Sequence, residues 1–307
     1  MTRPVFCMAC ALLFGCSSGG APIEPSSLSG VDGATAGGGD GGGQTVSDGG
    51  APPADLAPPV TGYGTVFIYL NHISSATFDA KSTTVGATFF EVSPPATTTA
   101  TCTTSTISEC VVTSCSGLTT TTPPPTPVEP AAGNVTISGP GHSVTLHNPA
   151  NSHETVSTQA LYWTGGESLS ISSTGATVGA FSDTLVAPNQ IVVINPYLPQ
   201  MGAVPISRAS GLTLKWQGGN AGQAWFGLTS AGTGASTSAL CRYPASQGQA
   251  VLPAAALMLF PAGTAYFSAS TTNQHEQRVG TWQISTTASF NATFDTGASA
   301  SGQFTLN

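Results

Sequence analysis

From Thr61 onward the chain is a succession of short segments in which apolar and polar residues alternate. In the first of them, Val66, Ile68 and Leu70 fall on one face of an extended strand, because successive side chains of a strand point to opposite sides. Val, Thr, Ser and aromatic residues dominate these segments, and Gly, Pro and Asn separate them. Short strands bounded by turn residues are typical of β-sandwiches and barrels, so we predict an all-β fold.

The predicted strands cover most of the chain beyond residue 60. They lie near residues 84–92, 99–104, 109–115, 134–138, 143–147, 157–163, 168–172, 176–181, 190–194, 211–217, 223–230, 238–243, 263–269, 278–286, 289–295 and 302–306. One short helix is predicted from Pro253 to Phe260, since Pro suits the start of a helix and Pro261 ends it.

The segment before Thr61 has a different composition. Residues 17–60 contain 12 Gly, 6 Pro and no aromatic residue. Such a segment cannot bury enough apolar surface to offset its conformational entropy, so residues 16–60 are predicted to be a disordered tether. A second low-complexity stretch, residues 119–132, contains five Pro and is predicted to be an extended, solvent-exposed loop within one domain.

The folded part is predicted to contain two sandwich modules, residues 61–195 and 196–307. A short internal similarity favours this division, because residues 161–166 (LYWTGG) parallel residues 214–219 (LKWQGG). In each copy the Trp would fill a core and the two glycines would permit a turn. The same arrangement can arise twice independently, so the sequence leaves a true repeat open.

The first residues form an export signal. An apolar run from Val5 to Phe14 follows Arg3, and Gly15 precedes Cys16. A charged start, a short apolar stretch and a small residue before a cleavage point are typical of a secretory signal, and the run is shorter than the roughly 20 residues of a membrane-spanning helix. An ordinary signal peptide, cut near residue 16 and carrying no lipid, would show the same features.

The stretch Leu13-Phe14-Gly15-Cys16 resembles the lipobox of bacterial lipoproteins, in which the cysteine is acylated and becomes the first residue of the mature chain. The resemblance implies that residues 1–15 are removed and that Cys16 anchors the protein in the cell envelope. Because Ser17 rather than Asp follows the cysteine, the resemblance favours the outer membrane. The layout is also similar to that of extracytoplasmic lipoproteins with immunoglobulin-like or fibronectin-like sandwiches behind a Gly-rich tether, a similarity of architecture that implies no ligand.

Four cysteines remain after the signal and the lipid site: Cys102, Cys110, Cys115 and Cys241. An even number in an oxidising compartment suggests two disulfides. We predict Cys102 with Cys110, across a hairpin that turns near Thr106, and Cys115 with Cys241. The rival pairing is Cys102 with Cys115 and Cys110 with Cys241, and either pairing would link the two modules. A zinc site is disfavoured because the spacing lacks a close C-x₂-C pair.

Charge is scarce and unevenly distributed. Residues 17–60 hold five acidic residues and no basic one, and residues 61–307 hold nine acidic and five basic residues. No basic stripe exists, which disfavours nucleic acid as a partner because phosphate binding depends on clustered Lys and Arg. The scattered bases also argue against adhesion to anionic lipid, so the predicted contact with the membrane is the lipid anchor alone.

No catalytic, metal or cofactor site is predicted. The sequence contains neither a G-x-S-x-G nor an H-E-x-x-H motif. The histidines His142, His147 and His153 are predicted to lie at the surface. Acidic side chains could still meet across a cleft, as glycoside hydrolysis requires, but the sequence does not give their separation. The acids considered are Glu91, Glu109, Glu154, Glu167 and Asp183.

The aromatic residues provide the candidate binding site. Strand parity assigns Trp163, Trp216 and Trp282 to cores, since each shares a face with aliphatic residues. A second group lies opposite the aliphatic face of its strand and could stack on a sugar or a partner surface, or could be buried against the other module. This group consists of Trp225, Tyr162, Tyr69 and Phe67.

These features predict an envelope lipoprotein that acts as a non-catalytic binding, adhesion or structural module, with a glycan or a surface protein as its possible partner. Two alternatives remain open. A carbohydrate-binding module would need exposed aromatic rings including Trp225. An extracytoplasmic hydrolase would need a cleft in which acidic residues, or a serine and a histidine, converge.

Overall fold

A computed structural model describes residues 59–75, 78–91, 101–117, 130–147, 154–198, 203–232 and 235–307. The predicted signal segment, the lipid site and all but the last two residues of the predicted tether lie outside the described residues. Within the described part, no helix is long and apolar enough to cross a membrane.

The described residues form 19 strands, one short α-helix and one 3₁₀ turn at Ala245–Gln247. The first nine strands are β1 (Gly62–Ser75), β2 (Phe78–Glu91), β3 (Thr101–Ile107), β4 (Cys110–Ser116), β5 (Val135–Gly139), β6 (His142–Leu146), β7 (Glu154–Thr158), β8 (Ser168–Ser173) and β9 (Phe181–Val186). The others are β10 (Ile191–Asn195), β11 (Ala203–Ile206), β12 (Leu212–Gly218), β13 (Gln223–Gly232), β14 (Ala235–Pro244), β15 (Gln249–Leu252), β16 (Gly263–Val279), β17 (Trp282–Asn291), β18 (Thr293–Phe294) and β19 (Ser301–Leu306), with helix α1 (Ala254–Leu257) after β15.

One long sheet of 11 strands runs through the described molecule in the order β3-β4-β14-β13-β16-β17-β1-β2-β7, with β19 beside β16 and β11 beside β19. Its continuity depends on β16, which has 17 residues. The first part of β16 pairs with β13 and β19, and its last part pairs with β17. The pairing of β17 with β1 is parallel, so the first strand joins a hairpin from the other end of the chain.

Two smaller sheets of four strands each pack on the same face of the long sheet. The sheet β6-β5-β8-β9 covers the part that contains β17, β1 and β2, and the sheet β15-β12-β10-β18 covers the part that contains β14, β13 and β16. The result is two sandwiches that share one sheet. The sequence therefore predicted the all-β sandwich architecture correctly, whereas the shared sheet was not predicted.

The first core lies between β1, β2, β17 and the sheet of β5, β6, β8 and β9. It is formed by the alternate residues that face inward, and Trp163 also enters it. The main members are Val66, Ile68, Leu70, Val85, Phe89, Ile137, Leu146, Trp163, Leu169, Ile171, Trp282, Ile284 and Phe290.

The second core lies between β4, β13, β14, β16 and β19 on one side and β10, β12, β15 and α1 on the other. Its main members are Cys110, Val112, Ile191, Val193, Leu214, Trp216, Phe226, Leu228, Cys241, Tyr243, Leu257, Phe260, Phe267, Phe294 and Phe304. As predicted, Trp163, Trp216 and Trp282 are all buried. The predicted helix is confirmed as α1, which Pro253 precedes.

The connection from β9 to β10 passes between the two cores and is held by side chains of the long sheet. Asn273 donates to the carbonyl of Val186 at 2.7 Å, and Thr271 donates to the carbonyl of Asn189 at 2.5 Å. The amide of Gln190 donates to one carbonyl on β1 and one on β17, at 2.8 and 2.9 Å.

Residues 60–307 form one compact unit. The division into modules 61–195 and 196–307 stays a prediction, since strands from both ranges contribute to each core.

The two Trp-Gly-Gly segments have different local structures. Trp216 lies on β12, whereas Trp163 lies outside the strands, so the predicted strand 157–163 is correct only for its first two residues. Both Gly pairs adopt positive φ, at 108° and 86° for Gly165 and Gly166. They border the same connection, because a Cβ at Gly165 would lie 2.7 Å from the carbonyl oxygen of Pro188 and one at Gly218 would lie 2.8 Å from that of Gln190.

The predicted disulfide pairing is wrong, and the rival pairing is the one that forms: Cys102 with Cys115 and Cys110 with Cys241. The hairpin turns at Ser108–Glu109 instead of near Thr106, which places Cys102 opposite Cys115. Cys110 then faces inward with Val112 and meets Cys241 on the neighbouring β14. This disulfide joins two strands of the second core, and it connects the range 61–195 to the range 196–307 as either pairing required.

The end of the proline-rich stretch also differs from its prediction. Residues 118–129 lie outside the described residues, but Pro130 and Ala132 are buried instead of exposed. The Ala132 carbonyl accepts a hydrogen bond of 2.6 Å from Ser173, so this part of the loop packs against β8. The prediction failed because composition reports the average exposure of a segment and not that of its ends.

Candidate functional site

The face of the long sheet opposite the two cores, here called the outer face, carries the candidate site. Alternation along β1 places Phe67 and Tyr69 on this face, and alternation along β13 places Gln223 and Trp225 there. On β16 the exposed residues Gln274, Glu276 and Arg278 also point outward. The outer face is rich in Ser and Thr, which pair across strands, for example Thr272 with Ser289 at 3.0 Å.

A recess of about 310 Å³ lies where β13 begins beside β16. Strand β13 pairs with β16 only from Gln223 at Thr272, while β16 continues to Val279. The sheet therefore has a step at this position, and the step is open and polar. The recess is lined by Gln223, Arg242, Thr272, Asn273, Gln274 and Glu276, and is called the Trp225 recess below because Arg242 rests on that ring.

Trp225 and Arg242 are directly paired residues of β13 and β14. The guanidinium carbon lies 4.6 Å from the centre of the indole ring, within the range of a cation–π contact. The indole nitrogen donates to the side-chain oxygen of Gln223 at 3.2 Å. Trp225 is partly exposed, unlike the buried Trp216 on the neighbouring part of the fold. The arrangement presents a fixed aromatic ring and a fixed cation at the rim of the recess.

The electrostatics of the recess are dominated by Arg242 and Glu276. Burial against the ring lowers the pKa of the Arg242 guanidinium, and the charge of Glu276 acts in the opposite direction. The Glu276 carboxylate accepts hydrogen bonds from Gln274 at 3.0 Å and from Gln283 at 3.2 Å. The guanidinium of Arg242 has no hydrogen-bond or ion-pair partner among the described residues.

The predicted aromatic set is brought together only in part. Phe67 lies on the outer face over Gly86, since a Cβ at Gly86 would lie 2.3 Å from its ring. Tyr69 lies on the same face and its hydroxyl donates to Asn291. Both are separated from Trp225 by β16 and β17. Phe67, Tyr69 and Trp225 thus share a face without forming one contiguous strip.

Tyr162 is not part of this face, and its assignment from strand parity is wrong. Residues 159–167 form no strand, so parity does not apply to them. The ring of Tyr162 stacks on His142, with centroids 4.4 Å apart, and contacts Trp163 edge-on at 5.9 Å. It borders the first core.

The candidate acidic residues have separate structural roles. Glu167 accepts from the backbone nitrogens of Thr164 and Gly165, at 3.0 and 2.6 Å, and from the Thr164 hydroxyl at 2.8 Å. Burial acts to raise the pKa of Glu167, but these hydrogen bonds outweigh it and lower the pKa below its usual value. Glu91 and Glu109 are exposed, and nothing is described of the Glu154 side chain.

Asp183 forms an ion pair although its side chain is almost completely buried. One of its oxygens lies 2.6 Å from Nδ1 of His275, which is half-exposed on β16. Its other oxygen is buried and has no partner within the described part of the chain. The pair connects the edge of the smaller sheet to the long sheet beside the first core. No group of three or more His, Cys, Asp or Glu side chains suited to a metal ion occurs among the described residues.

His142 and His147 are exposed, as predicted, and His153 lies outside the described residues. Arg242 is not among the site residues predicted from the sequence. Strand parity on 238–243 would have placed its side chain outward, but only the pairing of β13 with β14 places it over Trp225.

Comparisons with known proteins give no family. No family model matches the chain, and no curated protein matches its sequence. Two solved structures are similar in part: a Ca²⁺-stabilized adhesin that helps an Antarctic bacterium bind ice, 12% identical over 79% of this chain and 68% of that chain, and a 1.5-MDa bacterial ice-binding adhesin, 8% identical over 78% of this chain and 100% of that chain. The TM-score is 0.15 in both cases, which carries no argument about this chain's fold or function.

Proposed function

We propose that this protein is a lipid-anchored binding protein of the bacterial cell envelope, held at the outer membrane by Cys16, that binds a glycan at the Trp225 recess without catalysis. The observation that carries the binding site is the partly exposed Trp225 beside an open polar recess on the outer face. An aromatic ring next to hydrogen-bonding amides suits a sugar, whose C–H groups stack on the ring while its hydroxyls meet the amides.

The surroundings of the recess support this proposal. Gln223 supplies an amide nitrogen that is free to donate. The amide nitrogens of Gln274 and Asn273 already donate to Glu276 and to the carbonyl of Val186, and the Thr272 hydroxyl is bonded to Ser289. The recess lies on the sheet face away from both cores, so a long chain could lie across several strands. A non-catalytic role is supported by the acidic residues, since Glu167 holds a turn and Asp183 pairs with a histidine.

The binding site is tested with the full chain, purified in detergent, on a glycan array and a panel of envelope proteins. Trp225→Ala should abolish glycan binding, while Tyr266→Ala should leave it unchanged. Tyr266 is a matched control because it is an exposed aromatic on the same face, 48% accessible. Unaltered glycan binding by Trp225→Ala would refute the site, and retention of a protein alone would make the ligand a protein partner.

The anchor is tested separately. Its support is the resemblance of Leu13-Phe14-Gly15-Cys16 to a lipobox. Cys16→Ser should abolish labelling by a fatty-acid probe and release the protein or leave it unprocessed. Cys10→Ser serves as the control because Cys10 belongs to the removed segment and should not change labelling. Undiminished labelling of Cys16→Ser would show that the anchor lies elsewhere.

A further inference from the structure

The Trp225 recess contains a cation, Arg242, that makes no ion pair within the described part of the chain, although Glu276 lines the same recess. Arg242 contacts the Trp225 ring, and its guanidinium has no hydrogen-bond or ion-pair partner in the described part of the chain. Three other basic side chains are engaged: Lys81 pairs with a carboxylate at 3.1 Å, Arg208 donates to a backbone carbonyl at 2.8 Å and Arg278 to another at 3.1 Å. Lys215, on the small sheet at β12, has no partner among the described residues but lies away from the outer face. Arg242 is thus held in place by a ring while all its N–H donors remain available.

The charge of Glu276 acts on Arg242, but its carboxylate makes no direct bond to the guanidinium. Both oxygens of Glu276 accept hydrogen bonds from glutamine amides, at 3.0 and 3.2 Å. The oxygen of Gln223 is occupied by the Trp225 indole, so the Gln223 amide nitrogen is left to donate. The free donors of the recess are therefore the Arg242 guanidinium and the Gln223 amide nitrogen, which lie together and suit an acceptor such as a carboxylate.

The charge of the outer face also differs from that of the protein as a whole. Residues 61–307 contain nine acidic and five basic residues, a balance of about −4. On strands β14, β13, β16, β17 and β1, the outward positions carry three charged side chains, which are Arg242, Glu276 and Arg278. This face therefore has a balance of +1 in an otherwise acidic body, with its free cation in the recess.

We infer that the glycan bound at the Trp225 recess is a polyuronate, whose sugar carboxylate pairs with Arg242 while the sugar ring lies against Trp225 and the Gln223 amide. This inference rests on the proposed function and specifies its ligand. A planar guanidinium binds a carboxylate through two parallel hydrogen bonds, and its fixed position over the indole means that little order is lost on binding.

The test compares two ligands that differ only in the carboxyl group. Oligogalacturonate and the same oligomer with its carboxyls reduced to alcohols are titrated against the full chain in detergent by calorimetry at moderate salt. We expect the acidic oligomer to bind at least about tenfold more tightly, since a charge-assisted pair contributes that much or more. Raising the salt concentration should reduce this difference in affinity, because the pair of Arg242 with the sugar carboxylate is partly exposed to solvent.

Variants then assign the preference to one side chain. Arg242→Gln should remove the preference for the acidic oligomer, and Arg242→Lys should retain part of it because an ammonium cannot form the two parallel bonds. Arg278→Gln is the control, since it removes the same charge from the same face. Thermal melting of each variant checks that the fold is intact.

The outcomes separate the inference from the proposed function. If the acidic and reduced oligomers bind equally tightly to the wild type and both lose binding in Trp225→Ala, the result would support the glycan site but contradict the inference that its ligand is a polyuronate. Equal loss of the preference in Arg278→Gln and Arg242→Gln would also overturn it, since a diffuse field would then be responsible. Binding of poly-glutamate as tight as that of oligogalacturonate would show a carboxylate site without sugar recognition. If neither oligomer binds, polyuronates are rejected as the ligand, and the glycan array then tests whether the protein binds another glycan.

Discussion

The two cores are enclosed in the same way, by a small sheet on a shared long sheet, but their aromatic rings are arranged differently. In the second core the rings of Trp216, Phe226 and Tyr243 contact one another, and Phe267 and Phe304 continue the series, with centroids 5.2 to 6.3 Å apart. In the first core, the described residues give one ring contact between two buried rings, that of Phe89 with Phe181 at 6.2 Å. Connected rings add specific contacts beyond the area that they bury.

The cores also differ in how they satisfy polar groups. The indole nitrogen of Trp216 donates to the carbonyl of Ala245 at 2.6 Å, and the Tyr243 hydroxyl donates to that of Val251 at 3.0 Å. The indole nitrogen of Trp163 is buried without a partner among the described residues. The second core in addition contains the Cys110–Cys241 disulfide. Although their sheets are arranged alike, we therefore expect the two cores to differ in stability and the first core to open before the second.

The largest expected effect comes from the disulfides. Replacing Cys110 and Cys241 by Ala should lower the free energy of unfolding by about 5 kcal/mol, since the bond closes a loop with a sequence separation of 131. Replacing Cys102 and Cys115, separated by 13, should cost about 3 kcal/mol. Guanidinium titrations measure both. A larger loss for the second pair would contradict the view that the buried disulfide is the main covalent constraint.

Truncation of the tryptophans is next in size. Trp216→Ala and Trp163→Ala should each cost about 3–5 kcal/mol, because each removes a large ring from a packed core. Trp225→Ala should cost much less, because its ring lies on the outer face and is partly exposed. The three variants are compared by denaturant titration. Equal losses at Trp225 and Trp216 would mean that both rings stabilise a core.

Substitution of each buried Trp by Phe tests whether its indole nitrogen makes a hydrogen bond that stabilises the core. Trp216→Phe leaves the Ala245 carbonyl without its donor and should cost about 1–3 kcal/mol more than Trp163→Phe, which removes a donor that has no described partner. The loss of ring size is shared by the two variants, so it cancels in the comparison. Thermal melting and hydrogen exchange provide the readout. Equal costs would show that both indole nitrogens are satisfied alike.

The smallest effect concerns the turn that closes the first core. Glu167→Gln should cost about 1 kcal/mol at neutral pH, because the site is partly exposed and its hydrogen bonds are screened by solvent. The pKa of Glu167 is lower in the folded protein, so its contribution is complete above the usual value of 4.5 and is lost as the pH falls through the lowered value. Stability of the wild type and the variant should therefore converge in acid. Exposed Glu91→Gln is the control and should show no such convergence.

The sequence determined the strands and their faces where the pattern is local. Alternation of Val66, Ile68 and Leu70 placed these residues in a core. It also correctly placed Trp216 in a core and Trp225 on the side of its sheet that faces away from the core. The short helix could also be predicted. These features depend on neighbours within a few residues, so the sequence contains the information directly.

The tertiary structure decided which strands pair and therefore where the site lies. The parallel contact of β1 with β17, the passage of β16 across both sandwiches and the pairing of Cys110 with Cys241 join residues far apart in the chain. An alternating pattern is equally compatible with many partners and registers, so it cannot select among them. Arg242 and Trp225 meet for the same reason: the sequence turns both side chains outward, and only the register of β13 with β14 stacks one on the other.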